Sequence, residues 1–419
     1  MFQRLSRAWR RLNAPIGPAV GRGLGRTRRA ASRGGLAILV VITTVMIMTV
    51  VVTDLAYSSR VRFVVSAHAR DRVQAYWLAR SGVLMYQLIL TASKEIGNNE
   101  MLKEYGLGDS LWQMVPQINT GLMRMLLVGG DSGSDLEDDQ VETFAQTGQV
   151  DAALAEQSRE TGLFSDRNFL DFAGDFSADI EDQESRINAN ALSQCGTDTA
   201  LADCATANLI YQLMSGDDND QWFLEQNIDR WEIIGNLKDW VDADSERSGG
   251  RGGYEDALYN TLDEPYLAKN ASFETLDEMR LVDGWQGAVF DKFGDKLTVW
   301  GSGAKVNINS PSLATETLRM LIKSLSESPP TDAELDQVSD DIELAMSVQD
   351  FDDGKAFCGY LENTYGWDMK DTCNDVLTNT SKTFRITSTG LVDQSAATVT
   401  AVLDYSSKSS GMLLYWRVD

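Results

Sequence analysis

The sequence predicts an α+β protein: one very long N-terminal helix, a small antiparallel sheet late in the chain, and a large inserted, mainly helical part. Three observations carry this. An uncharged apolar run from Gly34 to Thr53 is 20 residues long, matching the roughly 20 residues a helix needs to cross a hydrocarbon core. The run continues without a turn signal into residues 54–94, which hold no proline and one glycine, Gly82. Near the C-terminus the apolar period shortens from helical to two, interrupted by two turns.

The elements follow in chain order. Residues 1–35 form a basic leader with nine arginines and no acid. The remainder holds 28 basic against 62 acidic residues, a net charge of −34. The positive-inside rule therefore places the N-terminus in the cytoplasm and the acidic bulk outside it. A secretory apolar region is usually ~7–15 residues and ends in a small-residue cleavage site; this one is longer and lacks that site, so it reads as a retained span. Residues 36–94 read as one helix, membrane-embedded first and amphipathic afterwards, because Leu55, Val61, Val64 and Val65, then Ala75, Leu78 and Ala79, then Leu84, Leu88 and Leu90 recur at helical spacing.

Residues 95–165 are less regular and read as a variable insertion, with a helix expected at 110–127 and an acidic Gly/Ser loop after it. Strand-like text begins near 168. Residues 191–294 and 312–376 look helical, and "DKLTVWGSGAKVNINSP" (295–311) reads as a strand and turn. The last segment reads as strands near 383–389, 396–405 and 412–418. A head is thus expected from 166–192, 291–310 and 380–419, and an inserted helical domain from 193–290 and 311–379. Four cysteines in two close pairs, in an extracytoplasmic setting, favour disulfides Cys195–Cys204 and Cys358–Cys373. Reduced thiols or a four-cysteine metal site are the alternatives; the latter lacks any Cys-x-x-Cys.

Six stretches carry a family resemblance. A leader ending in Gly35, followed directly by an apolar helix from Leu36, resembles type IV pilin-like proteins. The ordered motifs "RDRVQAYWLARSGV" (70–83), "IEDQESRINANAL" (180–192), "LKDWVDADSERSGGRGGYEDALY" (237–259), "EPYLAKNASFETLDEMRLVDG" (264–284) and "KVNINSPSLATETLRML" (305–321) resemble the K-type minor pseudopilins of type II secretion systems. The resemblance implies cleavage by prepilin peptidase between Gly35 and Leu36. It implies a bacterial inner-membrane protein with a periplasmic C-terminal domain, partnered by I-type and J-type minor pseudopilins and, further along, by H-type and major pseudopilins. Pilins usually carry glutamate at the fifth mature position; here that position is Val40. The K-type member characteristically lacks it, which implies a place at the pseudopilus tip, with no subunit above to pair such a buried acid. A single-pass, inner-membrane-anchored periplasmic binding protein outside any filament is the alternative.

The acidic motif is the candidate ligand site. Asp239, Asp242, Asp244, Glu246, Glu255 and Asp256 fall within 18 residues around a glycine-rich turn. Carboxylates this close repel unless a cation or solvent compensates, and calcium takes six to eight oxygens in flexible geometry. The spacing is not that of an EF-hand; the family resemblance also implies calcium in the helical domain. Asp242, Asp244, Glu246 and Asp256 rank ahead of the other two. The other chemistry is excluded more easily. Nucleic acid needs a basic footprint, which this acidic chain lacks, and the hairpin glycines of a helix-hairpin-helix do not follow Asn307 and Asn309. Those asparagines are expected to brace a turn, with Ser310 capping a helix that starts at Pro311. The only histidine, His68, lies on the long helix, so no histidine-based triad or metal site is expected and the chain reads as a non-enzyme.

Overall fold

The computed structural model describes residues 34–97, 112–113, 115, 117–123, 173–196, 200–248, 252–301 and 303–419. Most of the leader and most of the expected 95–165 insertion lie outside them. The chain divides into two units, 1–66 and 67–419.

Helix α1 (Gly34–Gly97) is unbroken over 64 residues. It is the one helix among the described residues long and apolar enough to cross a membrane. The hydroxyls of Thr44 and Thr49 donate back to the carbonyls of Val40 (2.6 Å) and Val45 (2.8 Å), so these threonines satisfy their hydroxyls within the apolar helix itself.

Within residues 67–419, the second half of α1 lies on an antiparallel sheet of order β1-β2-β7-β8-β9. The strands are β1 (Gln117–Asn119), β2 (Asp175–Asp182), β7 (Thr383–Val392), β8 (Ser395–Asp404) and β9 (Met412–Val418). Ala75, Ala79, Val83, Tyr86 and Leu90 of α1 are buried against Phe176, Ala178, Ile386, Val399 and Ala401 of the sheet. This close approach needs glycine on both sides. A Cβ on Gly390 would collide with the Ala75 carbonyl, and one on Gly82 with the Ser388 hydroxyl. The three C-terminal strands lie where the period-two text places them. The helix expected at 110–127 holds only in part: residues 120–123 are helical, whereas residues 117–119 form a strand paired to β2 through Gln117↔Asp179 and Asn119↔Ser177. Pairing to an open sheet edge, with Ile118 and Trp112 buried in the same core, outweighs a local apolar period already interrupted by Pro116.

A second core belongs to the helical domain: α2 (Ala205–Leu213), α3 (Asp217–Gln226), α4 (Arg230–Val241), α5 (Ala288–Phe293), α6 (Thr315–Leu325), α7 (Asp332–Val348) and α8 (Gly354–Tyr365). Both disulfides form as paired in sequence, Cys195–Cys204 and Cys358–Cys373. Two parallel pairs complete it: β3 (Ile187–Asn188) with β4 (Leu297–Thr298), and β5 (Val306–Asn307) with β6 (Leu377–Thr378).

One buried carboxylate joins three chain crossings between the cores. Asp182 ends β2, Asn307 lies in β5, and Ser381 precedes β7. Asn307 Nδ2 donates to Asp182 Oδ2 at 3.2 Å and to Ser381 Oγ at 2.6 Å, while Ser381 Oγ donates to Asp182 Oδ2. Glu184, one turn on, accepts the backbone N–H groups of Lys382 (3.2 Å) and Thr383 (2.9 Å). Burial, and then the charge of Asp182, push its carboxyl up to about 8. These acids are therefore structural ties. The turn asparagines brace as expected: Asn309 exchanges hydrogen bonds with the Phe351 backbone at 2.9 and 3.0 Å. The expected cap is corrected. Helix α6 starts at Thr315 with Ala314 before it, and Ser310 instead closes a turn by accepting from the Ser312 N–H at 3.2 Å.

Candidate metal centre

Helix α4 begins with Asp229, whose carboxylate accepts the N–H groups of Trp231 and Glu232 at 2.9 and 3.4 Å, a side-chain N-cap. The helix runs its apolar face into the core and ends with Asp242, whose N–H donates to the Lys238 carbonyl at 2.9 Å. The chain then folds back on itself. Glu246 pairs with Tyr254, the Arg247 N–H reaches the Gly253 carbonyl (3.2 Å), and the Glu255 N–H reaches the Ser245 carbonyl (3.3 Å). Gly253, at φ +99°, makes the return possible, because that conformation is nearly closed to side-chain-bearing residues.

The fold-back delivers Glu255 to the end of α4. Asp242, Asp244 and Glu255 each bring one carboxylate oxygen into a group whose members all lie within 4.8 Å of one another. Oxygens sharing one calcium at roughly 2.4 Å are at most about 4.8 Å apart, so the spacing suits a single hard cation. Glu255 is 1% exposed, and among the described residues neither of its oxygens has a hydrogen-bond partner; nor does Asp242 Oδ1. Buried carboxylate oxygens without partners are costly unless a cation meets them. Burial first, then the charges of Asp239, Asp242, Asp244 and Asp256, push the Glu255 carboxyl up to about 8. Burial also raises Asp239 and Asp242. The donor set, all hard oxygen and no sulfur or imidazole, fits calcium.

The six acids of the motif are not equivalent. Asp239 Oδ1 accepts the Ser248 N–H at 2.8 Å and closes the loop onto α4. Asp256 Oδ1 accepts the Ala268 N–H at 3.0 Å, bracing the following segment. Glu246 is exposed, and its N–H donates to Asp244 Oδ1 at 2.8 Å. The sequence ranking, which put Glu246 and Asp256 ahead of Glu255, therefore differs from the geometry, because a linear spacing does not say which acid a fold-back buries. Two supporting residues come from other motifs. Asn270 Nδ2 donates to the Asp244 carbonyl at 2.5 Å. Asn190 joins the Phe273 carbonyl (3.0 Å) and N–H (2.7 Å) to the Val299 carbonyl (2.6 Å), linking "INANAL" to "NASF". Lys238 was missed by sequence reading; its place four residues before Asp242 is the signal that marks it.

This loop lies inside a segment, residues 185–302, that matches the family model of the type II secretion system (T2SS), protein K. Type II secretion system protein K of Klebsiella pneumoniae is 27% identical over 126 residues, which is 30% of this chain and 36% of that protein. The match thus spans about a third of the curated relative's length. Among solved structures, a chain of the GspK-GspI-GspJ complex from the enterotoxigenic Escherichia coli type 2 secretion system superposes with a TM-score of 0.43 at 17% identity. It covers 59% of this chain and 80% of that one. Residues 185–302 are thus similar to the protein K domain of the type II secretion system.

Proposed function

We propose that this chain is a minor pseudopilin that assembles with I-type and J-type minor pseudopilins into the tip of a pseudopilus and starts its growth for export of folded proteins across the outer membrane. The observation that carries the reading is on α1. Its sheet-facing side is buried in the head, yet Val73, Trp77, Leu84 and Leu88, at spacings of four, seven and four, form an opposite stripe that is 50–70% exposed. A helix apolar on both sides needs a second partner, and this spacing suits another helix. Leader, span and Val40 support extraction from the inner membrane after cleavage between Gly35 and Leu36, with the C-terminal domain in the periplasm. H-type and major pseudopilins would follow below. The role is assembly and not catalysis. Calcium held by Asp242, Asp244 and Glu255 would supply fixed positive charge that pins the fold-back loop to α4.

Co-purification of the full chain with the I-type and J-type proteins tests the assembly. Trp77→Glu combined with Leu84→Glu is expected to abolish it while leaving the chain folded; retained capture would refute the helix-stripe reading. N-terminal sequencing separates the alternative, a monomeric membrane-anchored binding protein, which predicts an unprocessed Met1.

A further inference from the structure

Lys238 is 3% exposed. Its ammonium donates to Asp242 Oδ2 at 2.6 Å and to Ser248 Oγ at 3.0 Å. An ammonium so far from water is kept only where charge and hydrogen bonds compensate it. Here the pair is asymmetric: Oδ2 of Asp242 is taken by the lysine, and Oδ1, without a hydrogen-bond partner among the described residues, is left to the group formed with Asp244 and Glu255.

The charges then decide what the site can hold. Three ionised carboxylates carry −3, and Lys238 reduces this to −2. A buried ammonium fixed beside these ligands repels a trivalent ion more than a divalent one, so it weighs against the higher charge. We propose that Lys238 is a selectivity-determining residue of the centre: its ammonium offsets one carboxylate charge, favours a divalent over a trivalent cation, and confines Asp242 to one ligand oxygen. The proposal rests on the calcium reading above. Asp239 is close enough to raise Glu255, but its charge is common to every Lys238 variant and cancels when the ratio for two ions is compared between variants.

The test measures calcium and terbium binding to the full chain in detergent by titration calorimetry, for the wild type, Lys238→Met and Lys238→Arg. Repulsion from the ammonium is half as large again for a trivalent as for a divalent ion, so removing it should shift the ratio of dissociation constants towards terbium by roughly tenfold or more. Lys238→Arg, which keeps the charge, should stay near the wild-type ratio. If the Met variant folds only with metal present, the concentrations of each ion at half-folding give the same ratio. A ratio unchanged in the Met variant, loss of both ions by it, or failure to fold in saturating calcium and terbium would each make the lysine a purely structural support and overturn the proposal. A wild type that binds neither ion would sink the cation reading itself, and the lysine proposal with it.

Discussion

Replacing Glu255 by glutamine separates a ligand from a structural acid, because the change keeps shape and removes charge. In the metal-free protein, each carboxylate pair at 4.8 Å or less repels by about 3.5 kcal/mol at an effective dielectric of 20. Facing both Asp242, partly offset by Lys238, and Asp244, an ionised Glu255 would meet roughly 3.5–7 kcal/mol of repulsion, so near neutral pH it stays largely protonated, in line with its carboxyl at about 8. Glutamine resembles that protonated form, and the metal-free variant should match the wild type to within about 1 kcal/mol. Calcium changes the comparison. At a hundred times its dissociation constant it stabilises the wild type by about 2.7 kcal/mol, roughly 5–10 °C for a cooperative unit of 150–250 residues. Losing one of three charged ligands should weaken binding about a hundredfold, leaving RT ln 2, about 0.4 kcal/mol, at the same calcium concentration. Thermal melts of the full chain in detergent, with calcium and with chelator, measure both quantities. A metal-free variant about 3 kcal/mol less stable than the wild type, with its calcium shift intact, would refute the ligand role.

Glu184 predicts a pH dependence of stability. Its carboxyl is raised in the folded state, first by burial and then by Asp182, to about 8, so its contribution is complete below its unfolded value near ~4.3 and is lost as pH rises through 8. Denaturation midpoints in saturating calcium should fall between pH 5 and 9 in the wild type and flatten in Glu184→Gln; an identical slope in both would remove Glu184 as the cause. Gly390→Ala should destabilise the head by about 1–3 kcal/mol, as an added methyl against the Ala75 carbonyl forces α1 off β7, and a denaturant midpoint equal to wild type would contradict that contact. Replacing both Cys358 and Cys373 by serine opens a 15-residue separation and should cost roughly 3 kcal/mol by loop entropy, read as a lower midpoint under non-reducing conditions.

Elements set by local pattern were legible in the sequence. The long helix shows itself as an apolar run passing into a helical period, and β7, β8 and β9 as period-two text between turns. The cysteine pairs are close enough in the chain for spacing to point to each partner. The acidic motif was legible as a place but not as an arrangement, since six carboxylates in one stretch have no intrinsic order of burial. The strand at 117–119 was hidden for the same kind of reason: its partner, β2, lies some sixty residues away, and an edge that wants pairing is invisible to any local window.

By itself, the sequence determined the long apolar-to-amphipathic α1, the sheet's C-terminal strands and the acidic loop, because each depends on neighbours within a few turns or residues. Only the tertiary structure decided that Asp182 joins Asn307 and Ser381 at the crossings between the cores, and that Glu255, not Glu246 or Asp256, meets Asp242 and Asp244. It also decided that Lys238 takes one oxygen of Asp242 and leaves the other without a hydrogen bond among the described residues. The physical reason is burial. Which charge loses its water is settled by how the loop returns to α4, and a charge without water must take whatever partner the fold brings to it.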